Sequence, residues 1–91
     1  LLQKHRSAFL DHAAEFFAGP GGDPPLASSL AQENLALRQT PRAHALAIET
    51  ALTALDTSLA CRLLDAARPA AAHAVNLATL VERERARCAA R

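Results

Sequence analysis

The chain has 91 residues, a formal net charge of +1 and an apolar fraction of 51%. That length allows at most one domain, and a single core of this size gives only marginal stability. No apolar run reaches the roughly 18 residues that a transmembrane helix needs, so a membrane span is excluded. Much of the apolar fraction is Ala, with three Phe and no Trp, Tyr or Met. Alanine favours helices and lets their backbones approach closely, which predicts a thin helical core.

The first predicted element is an amphipathic helix over residues 1–18. Phe9 and Phe16 lie seven positions apart, Phe17 lies on the neighbouring strip, and these are all the aromatic residues of the chain. We expect this helix to provide the main hydrophobic anchor, either for the rest of the chain or for a partner. The next segment, GPGGDPP at residues 19–25, excludes regular structure and predicts a turn or a flexible hinge.

The longest periodic segment covers residues 41–68 and predicts one long central helix. Thr40 is a good N-cap residue, and Pro41 suits the first helical position. Apolar residues recur at alternating three- and four-residue steps, which is a heptad pattern, and a second apolar strip implies more than one neighbour. A shorter helix is expected between residues 26 and 39. The residues that form the predicted seam are Ile48, Leu52, Leu55, Leu59 and Leu63.

Pro69 ends the central helix in this interpretation, and a C-terminal helix over residues 70–90 follows with Leu77 and Val81 on its apolar face. With no Gly near Pro69, we expect a kink or a very short corner there, not a reversing loop. The predicted fold is therefore all-α, with three to four amphipathic helices. In this prediction, residues 26–91 form one helical segment, and partner chains complete it as a helical bundle or coiled coil.

The residues that could carry chemistry form no recognisable site. His12 and Glu15 could reach one metal ion, but a second pair of ligands is missing, so we expect no metal and no cofactor. Cys61 and Cys88 lack metal-ligand spacing and have no base at a local motif spacing, so reduced, buried thiols and no enzymatic activity are expected.

The last part of the chain is basic, because residues 68–91 sum to +3. Arg83, Arg85 and Arg87 are candidates for contact with phosphate or with an acidic protein surface. However, Glu82 can pair with Arg85 and Glu84 with Arg87 on a helix, and the region lacks stacking aromatic residues. The sequence therefore disfavours nucleic-acid binding.

The segments LLQKHRSAFLDHAAEFFAGPGG, ALAIETALTALDTSLACRLLDAA and AHAVNLATLVERERARCAAR, with their arginine- and alanine-rich composition, resemble the C-terminal capsid-binding part of an alphaherpesvirus large tegument protein. The resemblance implies a structural segment that joins a helical bundle with minor capsid vertex proteins and anchors tegument to the capsid. It also implies a location in the virion tegument and, during infection, in host cytoplasm and nucleus. The protease of that family belongs to the opposite end of a long protein.

Protein–protein binding is thus the expected function, with a second copy of the chain as a further candidate partner. Two alternatives stay open: the dimerisation or ligand-sensing part of a bacterial regulator, and a small nucleic-acid-binding module. Because the chain contains no Met and begins within a helical pattern, we expect it to be part of a longer protein. The residues expected to contact partners are the five seam residues, the three phenylalanines, Leu77 and Val81.

Overall fold

A computed structural model describes the backbone of residues 2–89 and the side chains of residues 9–89. The described chain consists of α-helices joined by short turns, which confirms the predicted fold class. It contains more helices than the sequence predicted. They are α1 (Leu2–Ala18), α2 (Pro24–Leu37), α3 (Pro41–Thr53), α4 (Thr57–Ala71) and α5 (Val75–Ala89).

The glycine- and proline-rich segment reverses the chain, so that α1 and α2 pack against each other as a hairpin. The backbone N–H of Asp23 donates to the carbonyl oxygen of Phe17 at 2.8 Å and closes the turn. The Asp23 side chain then caps α2 by accepting from the N–H of Leu26 at 3.2 Å. Because Pro24 and Pro25 already belong to α2, the predicted hinge at 19–25 is shortened to the turn at 19–23.

The predicted continuous helix over residues 41–68 is wrong, because the chain turns between Thr53 and Thr57. Leu55 has a φ of 61°, in the left-handed region, and this conformation ends α3. The N–H of Asp56 donates to the carbonyl oxygen of Ala51 at 2.9 Å. Together with the bond from the N–H of Leu55 to the carbonyl of Leu52, it forms a Schellman motif, which satisfies carbonyls that a helix end would otherwise leave free.

A new helix begins directly after this corner. Asp56 is its N-cap, and its Oδ1 accepts from the N–H of Leu59 at 3.1 Å. Pro69 lies within the last turn of α4, where its missing N–H removes only one helical bond. The chain reverses afterwards, at residues 72–74, so α5 begins at Val75 and not at residue 70. We expected a kink or a very short corner at Pro69 and no reversal. The corner is short, at three residues, but it follows the end of α4 and reverses the chain, so the expectation of no reversal is wrong.

A disulfide between Cys61 and Cys88 joins the first half of α4 to the last turn of α5, with a Cα–Cα distance of 5.6 Å. The two helices must therefore run antiparallel, since residues 27 positions apart meet at one end of the pair. The expectation of reduced thiols is wrong, because both cysteines face the same α4–α5 contact once the chain has reversed.

Helix α3 lies at the centre of the molecule and contacts all four other helices, whereas over the described residues the α1–α2 hairpin does not contact the α4–α5 hairpin. Two small cores result, one on each side of α3. The first is centred on Ala14, Ala31 and Ala47, so three helices approach each other through methyl groups, with partly buried leucines packed around them. The second is larger and is formed by Ile48, Leu64, Ala67, Leu77, Leu80 and Val81.

Candidate protein-interaction surface

The most exposed aromatic residues of the chain lie together on one face of α1. Phe9 is 64% exposed and Phe16 is 52% exposed, and their seven-residue spacing places them on the same side of the helix. The stripe that faces the core instead contains Leu10 and Ala14, which are fully buried. The predicted anchor helix therefore packs through its neighbouring strip and leaves two phenylalanines on the surface. We call Phe9 and Phe16 the phenylalanine surface.

The turn after α1 supports one end of this surface. The rings of Phe16 and Phe17 meet edge to face, with centroids 5.1 Å apart. Gly21 lies against both rings, and a Cβ at this position would come within 2.7 Å of the Phe16 ring and 2.8 Å of the Phe17 ring. A side chain at position 21 would therefore have to displace one of these rings, and glycine lets the turn pack directly against the aromatic pair.

The other residues expected to contact partners have different positions in the structure. Ile48, Leu77 and Val81 are buried in the core of this chain, so they offer no surface to a partner in this conformation. Leu55 is 88% exposed, but it lies at the α3–α4 corner and not in a helical seam. A further group is half-buried, and its members are Phe17, Leu52, Leu59 and Leu63.

An ion-pair network links α1 to α3. The Arg42 Nε donates to Asp11 Oδ2 at 3.0 Å, and the Arg42 Nη2 donates to Glu15 Oε2 at 3.0 Å. The hydrogen bond to Asp11, followed by the two negative charges, raises the pKa of Arg42 above its ordinary value. The sequence did not reveal this network, because its members are 27 to 31 positions apart. His12 approaches Glu15 at 3.9 Å and would pair with it only when protonated.

The arginines of α5 are occupied by carboxylates of the same helix. The predicted pairs are confirmed, with Arg85 donating to Glu82 at 2.9 Å and Arg87 donating to Glu84 at 2.8 Å. Arg83 also donates to Glu84, at 3.1 Å. The hydrogen bond from Arg83, assisted by Arg87, holds the pKa of Glu84 below its ordinary value although the residue is buried. Three arginines here share two glutamates, so a net charge of +1 remains over residues 82–87.

One buried histidine lies in the centre of the fold. His44 is part of α3, and its Nδ1 has no hydrogen-bond partner in the structure. Burial lowers the pKa of His44, because a charged imidazolium would lose its hydration there. Among the described side chains, no group of three or more His, Cys, Asp or Glu residues could hold a metal ion.

Comparisons with protein-family models, with curated proteins and with solved structures found no match. Over residues 2–89, no helix is long and apolar enough to cross a membrane.

Proposed function

We propose that this chain is a non-enzymatic protein-interaction domain that binds its partner through the phenylalanine surface. The observation that carries the proposal is the exposure of Phe9 and Phe16 on one face of α1, in a chain whose only other aromatic side chain is half-buried beside them. Covering the exposed part of one of these side chains would contribute about 1 to 2 kcal/mol, since Phe9 is 64% and Phe16 is 52% exposed. Phenylalanine is also among the residues enriched at the cores of protein interfaces.

The arrangement of the reactive groups supports a structural role and not a catalytic one. The two cysteines of the chain are joined in a disulfide, so neither can act as a nucleophile in this state. The arginines of α5 are paired with glutamates, which leaves little free positive charge for a phosphate backbone. Neither the disulfide nor these ion pairs involve Phe9 or Phe16, and a protein-interaction role accounts for the exposure of these two side chains.

The resemblance to the herpesvirus tegument segment supplies a specific partner, the minor capsid vertex proteins. In that version of the proposal the chain anchors tegument to the capsid, with α1 packed against helices of the vertex proteins. The Cys61–Cys88 disulfide bears on the location, since disulfides persist in oxidising surroundings and are rare in the cytosol. We therefore propose that the oxidised chain described here is the form present in the assembled particle.

The test compares the wild-type chain with the Phe9→Ser/Phe16→Ser variant for binding to purified alphaherpesvirus capsid vertex proteins, measured by calorimetry. Loss of binding in the variant, with an unchanged circular dichroism spectrum, would support the proposal. Leu55→Ser is the matched control, because Leu55 is 88% exposed at the α3–α4 corner, outside the phenylalanine surface, and its loss should leave binding unchanged.

Sedimentation of the chain alone tests the second candidate partner, another copy of the chain. If the wild-type chain self-associates and the double phenylalanine variant does not, the partner is a second copy of the chain. The phenylalanine surface would then remain the binding site. Absence of both kinds of binding, or equal binding by the wild type and the double variant, would refute the assignment of the phenylalanine surface.

A further inference from the structure

A second surface, separate from the phenylalanine surface, lies along the open side of α3. Helices α1 and α5 both pack on α3, but they do not contact each other over the described residues, so a groove remains between them. Its widest part has an open volume of about 550 Å³ and is lined on α3 by Ala45, Leu46 and Glu49. Two smaller depressions adjoin it, one toward the end of α3 and one between α3 and α5, and Glu49 lines each of them.

The groove has the dimensions and the lining of a site for a helix. Its floor is apolar where Ala45 and Leu46 of α3 line it together with Ala74 from the turn before α5. Val75 extends the apolar wall and is 81% exposed. Helix α3 has 13 residues and is therefore about 20 Å long, which corresponds to three to four turns of a second helix lying parallel to it.

The charges that line the groove determine what kind of helix fits. The two arginines at its sides are already engaged, Arg42 by Asp11 and Glu15, and Arg83 by Glu84. Glu49 is exposed in the middle of the groove and forms no ion pair with another described residue. Glu49 therefore offers a carboxylate without an ion-pair partner among the described residues, and it lies beside the apolar floor.

We propose that this groove binds an amphipathic helix of another protein, with an apolar stripe that covers Leu46 and a Lys or Arg that pairs with Glu49. Helices with an apolar face commonly bind in grooves of this kind, and a charge beside the stripe sets the register and the choice of partner. The inference goes beyond the proposed function, because it adds a second binding surface that uses neither Phe9 nor Phe16.

The test uses two synthetic helical peptides of 14 residues with the same Leu and Ala stripe, one carrying Lys and the other Glu beside it. We expect the Lys peptide to bind the full chain and to shift the NMR signals of Ala45, Glu49 and Val75. We expect the Glu peptide to bind about tenfold more weakly, since it meets Glu49 with a like charge. Glu49→Arg should weaken binding of the Lys peptide about tenfold, since it replaces an attraction with a repulsion.

Asp65→Arg is the matched control, because it makes the same change of charge on α4, outside the groove. It should leave the affinity within about twofold of the wild type, since exposed charges at a distance are screened. Equal loss of affinity in the Glu49 and Asp65 variants would overturn the proposal, because it would show attraction to overall charge. Equal binding of the two peptides would overturn it as well.

The same titrations separate this proposal from the proposed function. The Phe9→Ser/Phe16→Ser variant should bind the Lys peptide as well as the wild type does, even where it no longer binds a partner through α1. Peptide-induced shifts confined to the phenylalanine surface would refute the groove and leave the first surface intact. Concentration-dependent dimerisation that Glu49→Arg abolishes would identify a second copy as the occupant and refute the proposed foreign helix.

Discussion

The corner at Leu55 allows a quantitative test of the architecture. Leu55 has a φ of 61° and is 88% exposed, so it combines an unfavourable backbone conformation with little packing. A residue with a Cβ in the left-handed region costs about 1 to 2 kcal/mol. Leu55→Gly removes that cost. It loses about 0.3 kcal/mol for the small part of the side chain that is buried.

Glycine also makes the unfolded chain more flexible, which costs about 0.5 to 1 kcal/mol relative to alanine. The net expectation is that Leu55→Gly is about 0.5 kcal/mol more stable than the wild type. Leu55→Ala is the sharper reference, because it removes the same side chain and keeps the Cβ. We expect the Gly variant to exceed the Ala variant by about 0.5 to 1 kcal/mol in its free energy of unfolding.

Urea denaturation followed by circular dichroism measures these differences. In thermal unfolding the difference between the two variants corresponds to about 2 to 8 °C for a domain of this size. The pair Thr53→Gly and Thr53→Ala provides the control, since Thr53 is an exposed residue at the end of α3 and both variants lose its hydroxyl bond to the Glu49 carbonyl. There Gly should be the less stable by up to about 1 kcal/mol.

The two positions should thus respond to the same pair of substitutions with opposite sign. If Leu55→Gly proves less stable than Leu55→Ala, residue 55 does not occupy the left-handed region. The corner at Leu55 would then be wrong, and a continuous helix over residues 41–68 would have to be reconsidered.

Three further perturbations test other parts of the fold. Replacing both Cys61 and Cys88 with Ala should cost about 3.5 kcal/mol in urea denaturation, by the loop-closure relation for a separation of 27 positions; an equally stable variant would show that the disulfide does not form. Burial lowers the pKa of His44, so the unfolded chain binds the proton more readily than the folded chain. The free energy of unfolding should therefore fall as the pH drops below the ordinary pKa of 6.5, and His44→Leu should make this fall less steep. Leu64→Ala should cost about 2 to 5 kcal/mol because Leu64 is buried in the larger core. A loss below about 1 kcal/mol, as expected for the exposed Leu55, would contradict that placement.

Features that depend on neighbouring residues could be predicted from the sequence. The cap of α3 is one example, since Thr40 Oγ1 accepts from the N–H of Ala43 at 3.1 Å and Pro41 follows it directly. The pair Arg85–Glu82 is another, because residues three apart on a helix are always close. Such interactions need no knowledge of the rest of the chain, and the helical class follows from them together with the apolar periodicity.

The candidate surfaces were only partly visible in the sequence. The three phenylalanines could be identified as the largest apolar groups, but two strips of α1 were both apolar enough to face the core. Packing selected the strip with Leu10 and Ala14, because small residues let α1 approach α2 and α3 closely. The groove beside Glu49 could not be predicted, since it is formed by residues of α1, α3 and α5 that are distant in the sequence.

The sequence by itself therefore determined the helical class, the capping residue at the start of α3 and the local ion pairs, because these depend on residues only a few positions apart. Only the tertiary structure decided where the central segment turns, because its heptad pattern is equally compatible with one helix and with two. The turn at Leu55 lets α4 and α5 fold back onto α3 and bury Ile48, Leu64 and Leu77 together. That burial outweighs the cost of one residue in the left-handed region, and the same reversal brings Cys61 to Cys88.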